Sequence, residues 1–194
     1  MRRIVLIATG GTIEKTYNEL TGELVNRHSI VRKMLRRLRF EDTVVSILEL
    51  MSKDSLHLSL ADRMRIVDVA RTFAGPDPDS EPVPSPDLSL SAPAGWSSGK
   101  ESGTSGVVVL HGTDTLADTG DLIHQEIAAP TIPIVLTGAI RPYEMKQSDA
   151  MQNLNEAIFA TGLLDPGVYC VAHGRVMTFP GVRKDRSLGT FVQT

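Results

Sequence analysis

Five short apolar runs, rich in β-branched residues and without polar alternation, recur along the chain at residues 3–8, 43–51, 106–110, 132–136 and 167–172. A strand with one wet face alternates apolar and polar residues, whereas a strand covered by helices on both faces reads as a continuous apolar run. The segments between the runs have helical spacing. Ile30, Val31, Met34, Leu35 and Leu38 form one such stripe, and Leu60, Met64, Val67 and Ala70 form another. Further helices are predicted over 116–128, where Leu122, Ile123 and Ile127 line up, and over 150–163, where Met151, Leu154, Ala157 and Ile158 do. Ser59 with Asp62 three positions on reads as a helix start. Strands alternating with helices imply right-handed βαβ units, and hence an α/β fold: a three-layer, mostly parallel sheet flanked by helices.

With 194 residues, 41% of them hydrophobic, the chain can bury one sizeable core, and a single domain over 1–194 is expected. Residues 74–105 break the rhythm. They hold Pro76, Pro78, Pro82, Pro84, Pro86 and Pro93 with many Ser, Gly and Asp, and are read as a disordered surface insertion containing the single tryptophan, Trp96.

The net charge of −3 gives no global reason to bind nucleic acid or an anionic membrane, so a neutral or zwitterionic small molecule is the better partner. The basic run at 31–39 does not change this. Its apolar residues share a helical face and its basic residues lie opposite, as on a solvated outer face. One cysteine, Cys170, permits no intramolecular disulfide and reads as a buried structural thiol. The apolar start leads into Gly10-Gly11 instead of a cleavage site, so it is taken as the first core strand and the protein as cytoplasmic. No cofactor and no metal are expected, because no His/Cys/Asp cluster has ligand spacing.

Two threonine motifs follow strand-like runs directly: Thr9-Gly10-Gly11-Thr12-Ile13 and His111-Gly112-Thr113-Asp114-Thr115. In an open parallel sheet ligands bind outside the carboxyl ends of the strands, so the two loops would bring Thr12, Thr113 and Asp114 to one crevice. Taken singly, each motif has a plainer reading. The Gly-Gly pair suits a tight turn or a phosphate cradle. Thr115 suits a helix cap and Asp114 a first-turn acid. Together they point to a threonine-dependent amide hydrolase.

These motifs, with Met51-Ser-Lys-Asp-Ser55, Leu136-Thr-Gly-Ala-Ile-Arg-Pro142 and Gly181-Val-Arg-Lys-Asp185, resemble the bacterial-type L-asparaginases, the two-threonine asparaginase/glutaminases. The resemblance runs over residues 3–73 and 106 to about 184 and implies the amino-terminal domain of that family. It implies Thr12 as nucleophile on a flexible loop, with Tyr17 orienting or deprotonating it. It also implies Asp54 and Ser55 as substrate-binding residues, the serine holding the α-carboxylate. A second group, Thr113, Asp114 and Lys184, has the lysine tuning the threonine and the aspartate receiving the α-ammonium. By spacing alone Lys184 reads as a surface lysine. The activity so implied is hydrolysis of L-asparagine to L-aspartate and ammonia, in a homo-oligomer, dimeric or higher. Members of the family usually carry a second, carboxy-terminal domain, which this chain is expected to lack. Leu56 stands where larger relatives often have a glutamine that helps hold the amino acid. Two other readings stay open: an ammonia-supplying amidase subunit serving a partner, and a non-catalytic amino-acid-binding module.

Overall fold

The structure is a computed structural model and describes residues 1–76 and 103–194. In chain order the elements are β1 (Arg2–Gly10), a 3-10 turn (Thr12–Glu14), β2 (Thr16–Asn18), β3 (Glu23–Val25), α1 (Val31–Leu35), β4 (Thr43–Lys53), a second 3-10 turn (Ser55–His57) and α2 (Leu60–Ala74). After the undescribed stretch come β5 (Thr104–Leu110), α3 (Leu116–Glu126), β6 (Pro133–Thr137), α4 (Ala150–Ala160), β7 (Gly167–Ala172), β8 (Arg175–Thr178), β9 (Val182–Asp185) and β10 (Thr190–Gln193).

Six strands form the central sheet in the order β4-β1-β5-β6-β7-β8, parallel throughout except for the β7–β8 pair. Each of the five predicted apolar runs is one of its strands. Side chains alternate across the sheet, and over the central strands both faces are buried. On one face Val5, Ile7, Leu48, Val107, Val109, Ile134 and Leu136 pack with Ile66, Val67 and Ala70 of α2 and with Leu116 and Ile123 of α3. On the other, Ile4, Leu6, Ala8, Val108, Leu110 and Val135 pack with Val31 and Met34 of α1 and with Leu154, Ala157 and Ile158 of α4. This is the expected three-layer fold. It explains why the runs lack polar alternation: burying each such side chain contributes on the order of 1.5–3 kcal/mol, and here both faces collect it.

Ser59 and Asp62 form a reciprocal capping box at the start of α2. Lys53 hydrogen-bonds the same aspartate at 2.7 Å and is the main reason its carboxyl is held down to about 2. Cys170 is fully buried, and burial pushes its thiol up to about 12, in keeping with a structural role. The basic run makes a shorter helix than its spacing predicts, with α1 ending at Leu35 and tighter turns bonding Arg37 to Met34 and Leu38 to Leu35. Its outer face is solvated as expected, Arg39 pairing with Glu41 and Arg32 with Glu49.

The expected insertion starts and ends inside regular elements. Ala74 is a buried α2 residue, while Thr104 and Ser105 open β5. The part of the expected insertion at 77–102, with Trp96, lies outside the described residues. Two small hairpins, β2–β3 and β9–β10, have no counterpart in the sequence pattern; their strands are three or four residues long and mix polar with apolar residues.

Candidate active site

The chain leaves β1 for β4 on one side and returns to β5 on the other, so the strand order reverses between β1 and β5. A crevice opens outside the carboxyl ends of two parallel strands at such a reversal. Both threonine motifs sit there. Their loops touch backbone to backbone: a Cβ on Gly11 would lie 2.4 Å from both N and Cα of Gly112, and Gly11 has φ +79°. A Cβ on Gly112 would in turn meet the Ser55 Oγ at 2.5 Å. Glycine is required at this junction because three loops, from β1, β4 and β5, pass through a space with no room for another side chain.

The β5 loop is braced by side chains. His111 is completely buried, and burial holds its imidazole down to about 4, so it is neutral. Its Nδ1 lies 2.8 Å from the Gly112 carbonyl and its Nε2 lies 2.9 Å from the Thr119 hydroxyl, which fits one tautomer donating to the carbonyl and accepting from the threonine. Thr113 is 3% exposed and accepts from Lys184 Nζ at 2.8 Å; the same ammonium donates to Asp114 Oδ1 at 3.0 Å. Asp114 Oδ1 also pairs with Arg186 at 2.9 Å. Thr115 occupies the position before α3, but its hydroxyl donates to the Ser55 carbonyl at 2.9 Å instead of capping the helix. The cap reading of Thr115 and the first-turn-acid reading of Asp114 both give way to contacts across the crevice. Nor is Lys184 a free surface lysine: it projects from β9 into the ion pair and is largely covered.

The β1 loop is held differently. The Thr9 hydroxyl donates to the Leu110 carbonyl at 2.7 Å, and the Gly11 amide to the Lys53 carbonyl at 2.8 Å. Thr12 is half-buried in the 3-10 turn, and among the described residues its hydroxyl has no hydrogen-bond partner. No hydrogen bond joins Tyr17 to it. That side chain lies on β2, 58% exposed, and is tied to the body through its backbone amide, which donates to Glu144 at 3.0 Å. Asp54 caps the second 3-10 turn and accepts from Lys15 at 2.7 Å; that bond is the leading cause of its lowered carboxyl pKa. Ser55 is 2% exposed, and Leu56 beside it points to solvent. A recess of about 440 Å³ beside the site is lined by Lys15, Asn26, Lys53, Asp54 and His57, on the side of the β2–β3 hairpin and away from Thr113. Among the described residues no group of three or more His, Cys, Asp or Glu side chains is placed to hold a metal ion.

The structure therefore brings together Thr113, Asp114 and Lys184 by direct bonds, and Thr12, Ser55 and Gly112 by loop contact, while no hydrogen bond ties the exposed Tyr17 side chain to them. Sequence reasoning missed Lys15, Arg186 and the buried Glu14. Arg186 lies just past the end of β9, in the turn to β10, where strand alternation gives no signal for it. Glu14 had no signal either.

Comparison with known proteins gives likenesses to asparaginases. The family model described as Asparaginase, N-terminal matches residues 97–191. A segment of 84 residues is 40% identical to an L-asparaginase of Thermococcus kodakarensis. Over these residues the chain is similar to the amino-terminal domain of the asparaginase family. That segment is 43% of this chain and 26% of the relative. A second relative is a glutamyl-tRNA(Gln) amidotransferase subunit of Methanococcus vannielii, 37% identical over 76 residues, which are 39% of this chain and 18% of that one. Among solved structures, the thermostable L-asparaginase of T. kodakarensis superposes with a TM-score of 0.73 at 24% identity, over 98% of this chain and 51% of its own. A probable cytoplasmic L-asparaginase of Campylobacter jejuni gives 0.68 at 22% identity, over 100% and 52%. These likenesses show the asparaginase fold. The chain spans about half the length of the solved structures it matches.

Proposed function

We propose that this chain is an L-asparagine amidohydrolase working through a threonine ester. The observation that carries the reading is the Lys184 ammonium bonded at once to Thr113 and Asp114, on a loop in backbone contact with the Thr12 loop. A threonine hydroxyl needs an activating neighbour to react, and a preassembled lysine–threonine–aspartate group is one. In this reading Thr12 Oγ1 attacks the side-chain amide carbon of asparagine, the new C–O bond replaces the C–N bond, and the hydroxyl proton leaves with the nitrogen as ammonia. Water then cleaves the β-aspartyl ester: its oxygen bonds to the acyl carbon as the C–O bond to Thr12 breaks, Thr113, held by the Lys184 ammonium, relays the water's proton to the departing Thr12 Oγ1, and L-aspartate is released while Thr12 regains its hydroxyl. Backbone amides of the two glycine loops serve the developing oxyanion. Asp114 receives the α-ammonium, displacing Arg186, and Ser55 receives the α-carboxylate. Tyr17 reaches Thr12 only after the β2–β3 hairpin closes. The resemblance implies a site completed in the family by the neighbouring subunit's carboxy-terminal domain; in this reading Asp114 holds the α-ammonium alone, or another part of a second copy of the chain substitutes.

A second reading is favoured by the similarity to amidotransferase subunits: ammonia release serving a partner. Ammonia and aspartate measured from the purified chain, with L-asparagine and L-glutamine in parallel, separate the two. Free-standing release from asparagine, exceeding that from glutamine, supports the proposal. Release from neither amide rules it out for the isolated chain and leaves the partner-dependent reading or an amino-acid-binding module, the latter showing ligand stabilisation without turnover.

A further inference from the structure

Glu14 is an acid where acids are rarely found. It is 2% exposed, two residues beyond Thr12, and none of the chemistry above uses it. Both of its oxygens are engaged. Oε2 accepts from the Gly10 amide at 3.1 Å, and Oε1 accepts a short hydrogen bond from the Ser29 hydroxyl. Ser29 Oγ in turn accepts from the Val31 amide at 3.3 Å, at the first residue of α1.

These bonds have a geometric consequence. The Gly10–Glu14 bond folds the loop back on itself with Thr12 at its bend, and the Gly11 carbonyl accepts from the Glu14 amide at 3.2 Å within the same curl. The Glu14–Ser29 bond joins the two ends of the excursion formed by residues 15–28, which carries β2, β3 and Tyr17. The excursion is pinched at its neck. Its body is attached by surface contacts, such as Lys15 to Asp54 and the Tyr17 amide to Glu144. Its tip exposes Leu20 almost fully.

We propose that Glu14 is a positioning residue of the hydrolase: its buried carboxyl fastens the Thr12 loop to the start of α1, so that Thr12 stays fixed against the Gly112 loop while the Tyr17 hairpin moves. The inference rests on the amidohydrolase reading. Among the described residues the Thr12 hydroxyl has no side-chain partner of its own, so its place is set by the backbone that Glu14 holds. A small misplacement of a reacting group costs roughly 100-fold in rate.

The test compares the full chain with Glu14→Ala and Glu14→Gln. Glutamine keeps both links, its carbonyl accepting from Gly10 and its amide donating to Ser29 Oγ, which has a lone pair to spare. Steady-state ammonia release from L-asparagine gives kcat and KM, and hydrogen exchange gives the protection of the Gly10 amide. Expected for Glu14→Ala is a fall in kcat of roughly 100-fold with KM changed far less, and faster Gly10 exchange; Glu14→Gln recovers most of both. Unchanged kcat in Glu14→Ala, or a glutamine variant as impaired as alanine, overturns the proposal. If Glu14→Ala does not fold, Ser29→Ala removes the α1 anchor alone and is read on kcat and KM, since the Gly10–Glu14 bond remains. If the unmodified chain releases no ammonia, the hydrolase reading fails separately. Gly10 exchange then decides the clamp: loss of protection in alanine but not in glutamine upholds it, and equal protection in all forms refutes it.

Discussion

The loops after β1 and β5 meet in one crevice, yet they are held by opposite means. In the β5 loop His111, Thr113, Asp114 and Thr115 each have a bonded partner, drawn from α3, β9, the β9–β10 turn and the Ser55 loop. In the β1 loop the Thr12 side chain is left with no partner among the described residues, and the restraint comes from beneath, through Glu14. A group that must exchange protons repeatedly gains from fixed neighbours, whereas a nucleophile must leave its hydroxyl oxygen open to the substrate. The asymmetry matches the division of labour proposed for the two threonines.

The buried titratable residues of the two loops are also opposed. Burial raises Glu14 to about 7 and lowers His111 to about 4. Each is therefore neutral across much of the range in which the unfolded chain would carry the charge.

The largest expected effect is on the chemistry. Thr12→Ala and Thr113→Val should each cut asparagine hydrolysis at least ~1,000-fold. A substituted chain hydrolysing at the unmodified rate would remove that threonine from the mechanism. Lys184→Met should cost roughly 100- to 10,000-fold in kcat. It should leave the fold intact, because Arg186 still pairs with Asp114, and circular dichroism alongside the rate checks both statements.

Next comes the loop junction. Gly112→Ala places a methyl against Ser55 and should destabilise the chain by roughly 1–3 kcal/mol in denaturant unfolding, as overpacking does. The paired variant Gly112→Ala with Ser55→Gly should recover part of that loss if the collision is the cause.

The pH profile of stability sharpens the comparison further. Between 4.5, the ordinary Glu14 value, and about 7, the native chain holds a proton on Glu14 that the unfolded chain has lost, so stability falls as pH rises. For His111 the sign reverses. Between 6.5 and about 4 the unfolded chain binds a proton that the buried imidazole refuses, so stability falls as pH drops. The two slopes, each up to about 1.4 kcal/mol per pH unit, oppose one another from about pH 4.5 to 6.5. Glu14→Gln should expose a profile that rises with pH over that interval, and His111→Gln one that falls. Parallel profiles for the two variants would show that these residues are not the loops' buried anchors. The smallest effect is expected from Arg186→Gln, since an exposed pair is worth roughly 0.2–1 kcal/mol. Stability should barely move, and KM for asparagine should fall slightly as Asp114 is freed.

Much of this is legible in the amino-acid sequence. The parallel strands are readable because burial on both faces leaves uninterrupted runs such as Val107–Leu110. The crevice is readable because Thr9–Thr12 and His111–Thr115 each follow such a run directly. The family resemblance supplies Lys184, which no local pattern marks, since its strand pairs with β10 in a small hairpin and contains Arg183 and Asp185. Glu14 is illegible because its burial depends on Ser29, fifteen residues away, and on the return of the backbone at Gly10. The outward position of Tyr17 is likewise a matter of how the β2–β3 hairpin docks, on which its sequence is silent.

The central claim is a covalent one, and rapid quenching of the chain with L-asparagine, followed by mass analysis of its peptides, tests it most directly. The account predicts a transient gain equal to one aspartyl group on the peptide containing Thr12, longer-lived in Lys184→Met, where attack of water on the ester is slowed. An aspartyl group on the peptide containing Thr113 with Thr12 unmodified, or full turnover by Thr12→Ala, would contradict it.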